Sequence, residues 1–420
     1  MKIAIVGAGI NGISTALELV RDGHQVTIYE QLNAAAENAS FAPGGWLSPC
    51  ALHSLSTPGA GMPMRQLRAS SLQLLQGSAL LGSSTWRWLR QWKKLEKQAT
   101  KHRDWARATA LQQLASYSQA MRQAHGDDLS QCAEHKQGAL VLLRQRKDID
   151  FWQQQMDWLH AMQMPCTLID AEQAQRLEPG LAQPSPYSAA LHFTEGQSMN
   201  PRLWTQHLRA QALQLGATIH AGVSVQGIST SPMAVHLQGQ SHACDAIVLC
   251  TGASHQLLAG LGMQLPLMRA WGYSVTAPLR DPLLAPRSTV MDWSQQATIT
   301  RMGQRVRITA GMELNSHADS AHHHPTLQRM YTLLNDCFPG GAQLSSPQVQ
   351  VWRGVRGIVP DGLPVVGASA AEGVWLNLAH GSHGTALAAG CARALADQIS
   401  QREAALDLQA FHPLRFSTKK

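Results

Sequence analysis

Long apolar runs are missing from this sequence of 420 residues. No window reaches the ~18 uninterrupted apolar residues of a transmembrane helix, which argues against a membrane-spanning protein. The apolar start is interrupted by Gly7, Gly9, Asn11 and Gly12, and it has no small-residue cleavage site. We therefore expect folded structure there, not a signal peptide, and a cytoplasmic location.

Paired cysteines are missing as well. The seven cysteines are scattered and none forms a C-x-x-C pair, so neither a disulfide framework nor a zinc site is indicated. The histidine run 322–324, with His317, lies in a segment rich in serine, alanine and proline, without carboxylate or cysteine ligands at metal spacing. We expect an exposed loop there and no bound metal.

Charge is sparse outside one segment. The net charge is +7, and residues 85–107 carry eight basic and two acidic side chains, a net +6. The rest of the chain therefore carries only +1, and general nucleic-acid binding is not supported.

The basic segment, read as a helix, has two adjacent stripes. The cationic stripe is Arg87, Arg90, Lys94, Lys97 and Lys101, and the apolar stripe is Trp88, Trp92 and Leu95. Cations beside tryptophans suit the headgroup zone of an anionic membrane, so 85–107 is a candidate for peripheral contact with the inner membrane. The alternative, tryptophans packed on the protein with solvated cations, stays open.

The residues that are present predict an α/β protein. Apolar residues make up 44% of the chain, which suffices for two or three domains. Residues 2–6 and 25–30 are typical of strands, and the helical pattern between them completes a βαβ unit. Further helices are expected within 65–162, at 200–216 and 385–400, strands at 217–220, 223–228, 245–250 and 374–378, and antiparallel hairpins at 288–311.

The turn GAGING, residues 7–12, fits G-x-G-x-x-G. Gly7 permits the tight turn, Gly9 the approach of a pyrophosphate, and Gly12 the close packing of helix on strand. N–H groups at the start of the helix then face the phosphates. The second strand ends on Glu30, whose carboxylate suits a ribose 2′-hydroxyl and repels a 2′-phosphate. The unit predicts a dinucleotide site that disfavours NADP.

The choice between FAD and NAD depends on residues 379–400. A turn rich in glycine and histidine, with His380 and His383, precedes the last helix. Backbone donors and the positive end of that helix dipole would stabilise the negative charge at N1–C2=O of a reduced flavin. No second G-x-G-x-x-G offers a nicotinamide site, so we expect FAD.

Seven stretches occur in an order that resembles the FAD-bearing small subunits of bacterial D-amino-acid dehydrogenases, within the D-amino-acid oxidase, glycine oxidase and sarcosine oxidase family. They are 6–19, 40–49, 177–181, 245–255, 272–276, 352–367 and 374–390. The resemblance implies a Rossmann-like FAD-binding domain and a second substrate domain built on a mixed or antiparallel sheet plus helices. It implies that FAD is held by Gly7, Ala8, Gly9, Ile10, Asn11, Gly12, Glu30, Gln31, Ser40, Gly45, Val223, Thr251, Gly252, Gly381, Ser382, His383, Gly384 and Thr385.

The resemblance also implies that Arg356 binds the substrate carboxylate. The chemistry of the side chain supports this role independently, because a planar guanidinium can bind a carboxylate through two parallel hydrogen bonds. The alternative is that Arg356 forms an ion pair at the protein surface. Tyr273 could cap the pocket by a hydrogen bond, or be a core tyrosine with a satisfied hydroxyl. His380 and His383 add titratable groups near the flavin.

This chain departs from the family pattern at several positions. Gly357 replaces the usual proline after Arg356, which predicts a more mobile loop. Trp46 replaces a polar residue, and His383 an apolar one. No cysteine occurs in 352–360, where some relatives tether the flavin, so we expect non-covalent FAD.

The resemblance implies a division of labour between two domains. We expect an FAD domain from 1–50, 190–262 and 352–420, and a substrate domain from 51–189 and 263–351. The expected reaction is oxidative deamination of a small amino acid, of the D series, to a keto acid and ammonia, with electrons passed to a quinone-type acceptor. Two alternatives stay open: an oxygen-using oxidase of glycine, sarcosine or a proline derivative, and a flavin-bound non-catalytic subunit.

Overall fold

The computed structural model describes residues 1–48, 73–74, 83–102, 106–126, 128–314 and 322–416. Within these ranges the helices are α1 (Ile10–Arg21), α2 (Ser83–His102), α3 (Ala106–Ala124), α4 (Leu129–Ala133), α5 (Arg146–Gln153), α6 (Met156–Ala161), α7 (Ala171–Leu177), α8 (Pro201–Gln214), α9 (His324–Cys337) and α10 (Gly384–Ile399). The strands are β1 (Lys2–Val6), β2 (Gln25–Glu30), β3 (Trp46–Ser48), β4 (Gln73–Leu74), β5 (Lys136–Leu143), β6 (Cys166–Asp170), β7 (Ala189–Ser198), β8 (Thr218–Ala221), β9 (Gly227–Thr230), β10 (Met233–Leu237), β11 (Gln240–Ala243), β12 (Ala246–Leu249), β13 (Met268–Pro278), β14 (Thr289–Asp292), β15 (Ala297–Met302), β16 (Arg305–Leu314), β17 (Gln350–Ile358), β18 (Val365–Ala368) and β19 (Val374–Leu378).

The first sheet has six strands in the order β18-β19-β12-β1-β2-β8, parallel except for β18. Ile3 and Ile5 of its central strand pack in one cluster with α1 and α10. Ala4 and Val6 pack in another with the three-stranded sheet β9–β11. Burial on both faces explains why β1 is a continuous apolar run.

The second sheet has ten strands and is mixed. Its main path is β17-β13-β16-β15-β14-β5-β7-β3, with β4 on β16 and β6 on β7. Alternate residues of β5 face opposite sides: Val141 and Leu143 pack with α2, α5 and α6, whereas Leu140 and Leu142 pack with α9. The predicted fold class, a Rossmann-like unit beside a mixed sheet with helices, is confirmed.

Most local predictions are confirmed, including β1, β2, β12, β19, α10 and the hairpins of β14–β16. α8 begins after Asn200, whose side chain accepts a hydrogen bond from the Leu203 amide. The helical reading of 65–162 is wrong at β5, because a short buried apolar run cannot be told from a helix by periodicity. The strand expected at 223–228 begins only at Gly227.

The domain boundaries remain a proposal, with four elements reassigned. The FAD-domain ranges included β3, β7 and β17, yet these strands pair within the ten-stranded sheet. Helix α3 was included in the substrate domain, yet Leu111 and Leu114 pack in the cluster of α1 and α10. Sheet membership depends on pairing between distant segments, which local patterns do not contain.

The apolar stripe predicted on α2 is wrong as a membrane-facing surface. Trp88 and Trp92 are only 3% and 1% exposed and pack with Trp152 under the ten-stranded sheet. Trp86 is 55% exposed, and Arg87, Arg90, Lys94 and Lys97 lie on the exposed side. In the described ranges no helix has the length and apolar character needed to cross a membrane.

Candidate active site

The turn between β1 and α1 forms a tight cradle. A Cβ on Gly12 would lie 1.9 Å from the Gly7 carbonyl oxygen, so the helix meets the turn at a distance that only glycine allows. Helix α1 starts at Ile10 with no side-chain cap from Gly9, and the Ile10 amide donates to Ser40 Oγ at 3.0 Å. The helix start thus faces the cavity with a partly unsatisfied backbone.

Glu30 closes the cradle from the end of β2. One carboxylate oxygen accepts the Ala8 amide at 2.6 Å and the other accepts the Leu32 amide at 2.9 Å. The Val223 amide donates to the Glu30 carbonyl at 2.8 Å. These bonds fix the carboxylate at the cavity wall, where its remaining lone pairs can accept from a ribose hydroxyl.

Two adjoining cavities extend from this cradle, one slightly smaller than the other. Both are lined by Ile10, Asn11, Ala39, Ser40, Gly252 and Val355. The predicted cofactor residues in the smaller, cofactor cavity also include Gly7, Gly9, Glu30, Gln31, Val223 and Thr251. Those in the larger, substrate cavity also include Gly45, Gly381, Ser382, Gly384 and Thr385.

Three predicted cofactor residues do not line either cavity: Ala8, Gly12 and His383. Ala8 and Gly12 support the cavity wall without lining it. The Ala8 amide donates to the Glu30 carboxylate, and Gly12 packs closely against the Gly7 carbonyl. His383 is 3% exposed and ends the turn Gly381–His383 that precedes α10. Direct contact with a ligand is thus not the role that the geometry favours for these three.

Asn11 and His380 form a polar pair in the substrate-cavity wall. Asn11 Nδ2 lies 3.0 Å from His380 Nδ1, so the amide donates and the ring proton is on Nε2. Within the described residues, His380 Nε2 and Asn11 Oδ1 are buried without hydrogen-bond partners. One donor and one acceptor are therefore left for a bound polar group.

His380 makes stability depend on pH, because burial lowers its pKa to about 3. The unfolded chain takes up that proton near pH 6.5, so the stability is complete above this pH and is lost as the pH falls toward 3. Between pH 7.5 and 5, we expect the wild type to lose about 2 kcal/mol more unfolding free energy than His380→Asn. Urea unfolding at both pH values measures this; equal losses would show that His380 titrates normally.

Arg356 lies on β17 with its guanidinium in the wall of the substrate cavity. Nη1 donates to Ser382 Oγ at 2.9 Å and Nη2 to the Gly311 carbonyl at 3.3 Å. Burial lowers the pKa of Arg356 to about 10, and no carboxylate in the described part of the chain offsets this effect. The alternative of a surface ion pair is wrong, and a desolvated cation faces the cavity.

Two glycines form a shelf beneath Arg356. Gly272 and Gly354 are paired across β13 and β17. A Cβ on Gly272 would lie 2.6 Å from Arg356 Nη2, and a Cβ on Gly354 would lie 1.6 Å from the Trp352 indole. The guanidinium and the indole therefore occupy neighbouring space above the glycine pair, which we call the glycine shelf.

Tyr273 is among the residues that line the substrate cavity, but its hydroxyl already has partners. It donates to Glu313 at 2.5 Å and accepts the His323 amide at 2.9 Å. Burial, with the bond to Glu313, raises the pKa of Tyr273 to about 12. Arg353 neutralises Glu313 at 2.9 Å. The satisfied tyrosine is thus the better interpretation, and capping by this hydroxyl is disfavoured.

Gly357 does not belong to a loop, so the expected mobility is wrong. It is buried within β17, and a Cβ there would lie 2.6 Å from the Gly252 carbonyl oxygen. Close contact between the strand and the β12 turn is the physical reason for glycine. Trp46, a second departure from the family pattern, lines the substrate cavity.

His322 and His323 of the histidine run contact neighbouring parts of the protein. His323 caps α9 by accepting the Thr326 amide, and the His322 ring lies 5.9 Å from that of Tyr273. His317 lies outside the described residues. Among the residues that the structure does describe, no cluster of three ligating side chains is found.

Several cavity residues were missed at the level of sequence: Trp352, Gly354, Gly272, Gln296, Thr298, Thr309 and Met312. Alternation along WRGVR could have placed Trp352, Gly354 and Arg356 on one strand face. The remaining residues come from β13, β15, β16 and, for Gln296, the turn before β15, and no local signal marks them.

The family described as FAD dependent oxidoreductase matches residues 2–398. The chain belongs to this family, and FAD is its cofactor. The residues fit this cofactor, because the cradle at Gly7–Gly12 and the anchored Glu30 face the cofactor cavity, and the unpaired atoms of Asn11 and His380 lie in the wall of the adjoining cavity.

The chain is 29% identical over 428 residues to a D-amino acid dehydrogenase of Rhodopseudomonas palustris, covering 100% of this chain and 98% of that protein. It is 32% identical to a D-amino acid dehydrogenase of Cereibacter sphaeroides, covering 96% and 92%. Its fold resembles glycine oxidase from Geobacillus kaustophilus, with a TM-score of 0.73, 20% identity and 98% coverage of both chains. L-proline dehydrogenase from P. horikoshii gives a TM-score of 0.70 at 17% identity, covering 99% and 97%.

Proposed function

We propose that this protein carries out FAD-dependent oxidative deamination of an amino acid of the D series. The observation that carries the proposal is Arg356, a desolvated guanidinium without a carboxylate partner in the described residues, facing the cavity that adjoins the FAD cradle. A free α-carboxylate of a substrate supplies the missing charge. The dehydrogenases similar to this chain support the D series.

Arg356 binds the carboxylate, and Ser382 holds the guanidinium by accepting from Nη1. A fixed guanidinium orients the substrate Cα and its neutral amine for reaction. FAD, when bound in the cofactor cavity, would supply the two-electron oxidation of the substrate at its Cα–H bond. As that C–H bond breaks, the amine lone pair forms a C=N bond, the nitrogen proton goes to water, and water hydrolyses the imino acid to a keto acid and ammonia.

An anaerobic panel of both enantiomers of the amino acids tests this proposal. D-amino acids should bleach the flavin absorbance, and ammonia should appear with one equivalent of keto acid. Bleaching by L-amino acids alone would contradict the D series, and no bleaching by any amino acid would favour a flavin-bound non-catalytic subunit.

The electron acceptor is the second part of the proposal. A quinone-type acceptor agrees with the dehydrogenases that resemble the chain, whereas the fold similarity to glycine oxidase keeps an oxidase as the rival. An oxygen pulse on the reduced enzyme separates them. A dehydrogenase should reoxidise slowly in oxygen and rapidly with a soluble quinone; rapid formation of peroxide would support the oxidase.

We expect tightly bound, non-covalent FAD. No cysteine occurs in 352–360, and the cradle offers hydrogen bonds and close backbone approach instead of a tether. Acid precipitation should release the flavin into the supernatant, where its absorbance is measured. Flavin that stays with the polypeptide would contradict non-covalent binding.

We further propose a peripheral contact between α2 and an anionic membrane, with a cytoplasmic enzyme on the inner membrane. The exposed cations Arg87, Arg90, Lys94 and Lys97 support it, with the exposed ring of Trp86. Since Trp88 and Trp92 are buried, the attraction is mainly electrostatic, at about 1 kcal/mol per cation near the surface.

Liposome co-sedimentation at low salt tests this contact. The protein should pellet with anionic vesicles, remain in the supernatant with neutral vesicles, and be released as the salt concentration rises. Replacing Arg90, Lys94 and Lys97 by glutamine should reduce the bound fraction severalfold, whereas Arg146→Gln, an exposed arginine on α5, should not. Equal recovery with both vesicle types would leave α2 as an ordinary solvated surface.

A further inference from the structure

The glycine shelf places an aromatic surface beside the carboxylate-binding guanidinium. Trp352, Gly354 and Arg356 alternate along β17, so their side chains project from the same face. The Trp352 indole lies over Gly354, in the space that a Cβ would fill, and the guanidinium lies over Gly272. Gly272 and Gly354 oppose each other in the antiparallel pair of β13 and β17, where Cα atoms are only ~4.5–5.5 Å apart. The indole over Gly354 and the guanidinium over Gly272 are therefore neighbours.

The other walls of the substrate cavity add apolar surface but no charge. Trp46 and Met312 line it, together with the uncharged polar side chains of Gln296, Thr298 and Thr309. Among the described lining residues there is no Asp, Glu or Lys, and Arg356 is the only guanidinium. Among these described residues a cationic substrate side chain has no counter-charge, and a second carboxylate would compete with the first for Arg356.

We infer that the preferred substrates carry an uncharged aromatic side chain, which lies against the Trp352 indole while Arg356 holds the α-carboxylate. This inference rests on the proposed function and specifies its substrate class. Aromatic pairs in offset or edge-to-face geometry gain roughly 2- to 12-fold in affinity beyond their buried area. Small amino acids bind through Arg356 alone, so they remain substrates of lower efficiency.

The test is anaerobic flavin reduction of the holoenzyme by D-phenylalanine, D-leucine, D-alanine, D-lysine and D-glutamate. D-phenylalanine should have the highest reduction rate constant divided by Kd, and the two charged amino acids should be at least tenfold poorer. Trp352→Leu should lower the ratio of D-phenylalanine to D-alanine at least threefold, whereas Trp352→Phe should keep most of it. D-alanine in each variant is the internal control.

Gly354→Ala gives an independent measurement, because the added methyl group must displace the indole. It should lower the same ratio while the flavin absorbance per polypeptide stays normal. If Trp352→Leu fails to bind FAD, the aromatic preference can still be tested with Trp352→Phe, Gly354→Ala and the wild-type panel of amino acids.

The outcomes separate the two proposals. Reduction by D-alanine with equal or poorer reduction by D-phenylalanine, or a ratio unchanged in Trp352→Leu and Gly354→Ala, would overturn the aromatic preference and leave deamination standing. Absence of reduction by every amino acid would overturn both.

Discussion

Arg356→Ala is expected to reduce kcat/KM for amino acids by about 30- to 5,000-fold, which is the loss of about 2–5 kcal/mol from a buried charge-assisted pair. The FAD content should stay normal, since Arg356 bonds to the side chain of Ser382 and to the Gly311 carbonyl, and its loss leaves the backbone of both glycine-containing turns in place. Stopped-flow flavin reduction against substrate concentration gives the value directly.

A lysine variant tests the planar shape of the Arg356 guanidinium separately from its positive charge. Arg356→Lys keeps a cation but loses the planar fork, so its kcat/KM should fall between those of the wild type and the alanine variant. Arg176→Ala, which removes an exposed arginine paired with Glu172 on α7, is the matched control and should leave kcat/KM unchanged. An alanine variant at Arg356 with wild-type kcat/KM would remove this residue from the substrate site.

Gly12→Ala is expected to produce protein that holds little or no FAD. The new Cβ would lie 1.9 Å from the Gly7 carbonyl oxygen, and both groups belong to backbone that cannot rotate away. Overpacking of this kind costs about 1–3 kcal/mol, and here it displaces α1 from the glycine turn that is expected to hold the pyrophosphate. The flavin-to-protein absorbance ratio and the urea unfolding free energy of the apoprotein should both fall.

Gly9→Ala separates folding from cofactor contact. A Cβ on Gly9 would have Ser40 Oγ at 3.5 Å as its nearest neighbour, an ordinary contact, so the apoprotein should be as stable as the wild type. Because Gly9 lines the cofactor cavity, the same variant should still bind FAD more weakly. Wild-type stability and flavin content in Gly12→Ala would mean that α1 can shift without loss of the cradle.

Local patterns predicted residues that meet in the cofactor cavity. The strand, glycine turn and helix of residues 2–21 are contiguous, and Gly7, Gly9 and, at the end of β2, Glu30 line one cavity, as their spacing indicates. Arg356 was also predicted, although from the resemblance and the chemistry of guanidinium and not from any periodicity.

The substrate half depends on contacts between distant segments. The glycine shelf requires the register of β13 against β17, which pairs Gly272 with Gly354 across 82 positions of sequence. The Tyr273 hydroxyl is satisfied by Glu313, 40 residues away, and by the His323 amide, 50 residues away. An amphipathic pattern likewise cannot tell whether the Trp92 face of α2 meets a membrane or a protein core.

β17 lies at the edge of the ten-stranded sheet, and within the described residues only β13 pairs with it. The pentapeptide 352–356 on this strand carries the indole, the small residue beneath it and the guanidinium, whereas the Gly7–Gly12 turn follows a strand of the six-stranded sheet. Selection for new substrates can therefore act on codons 352, 354 and 355 of one strand, while Arg353 stays fixed because it neutralises the buried Glu313. A library that varies these three positions and keeps Arg353 and Arg356 should yield enzymes that differ in substrate range and remain yellow.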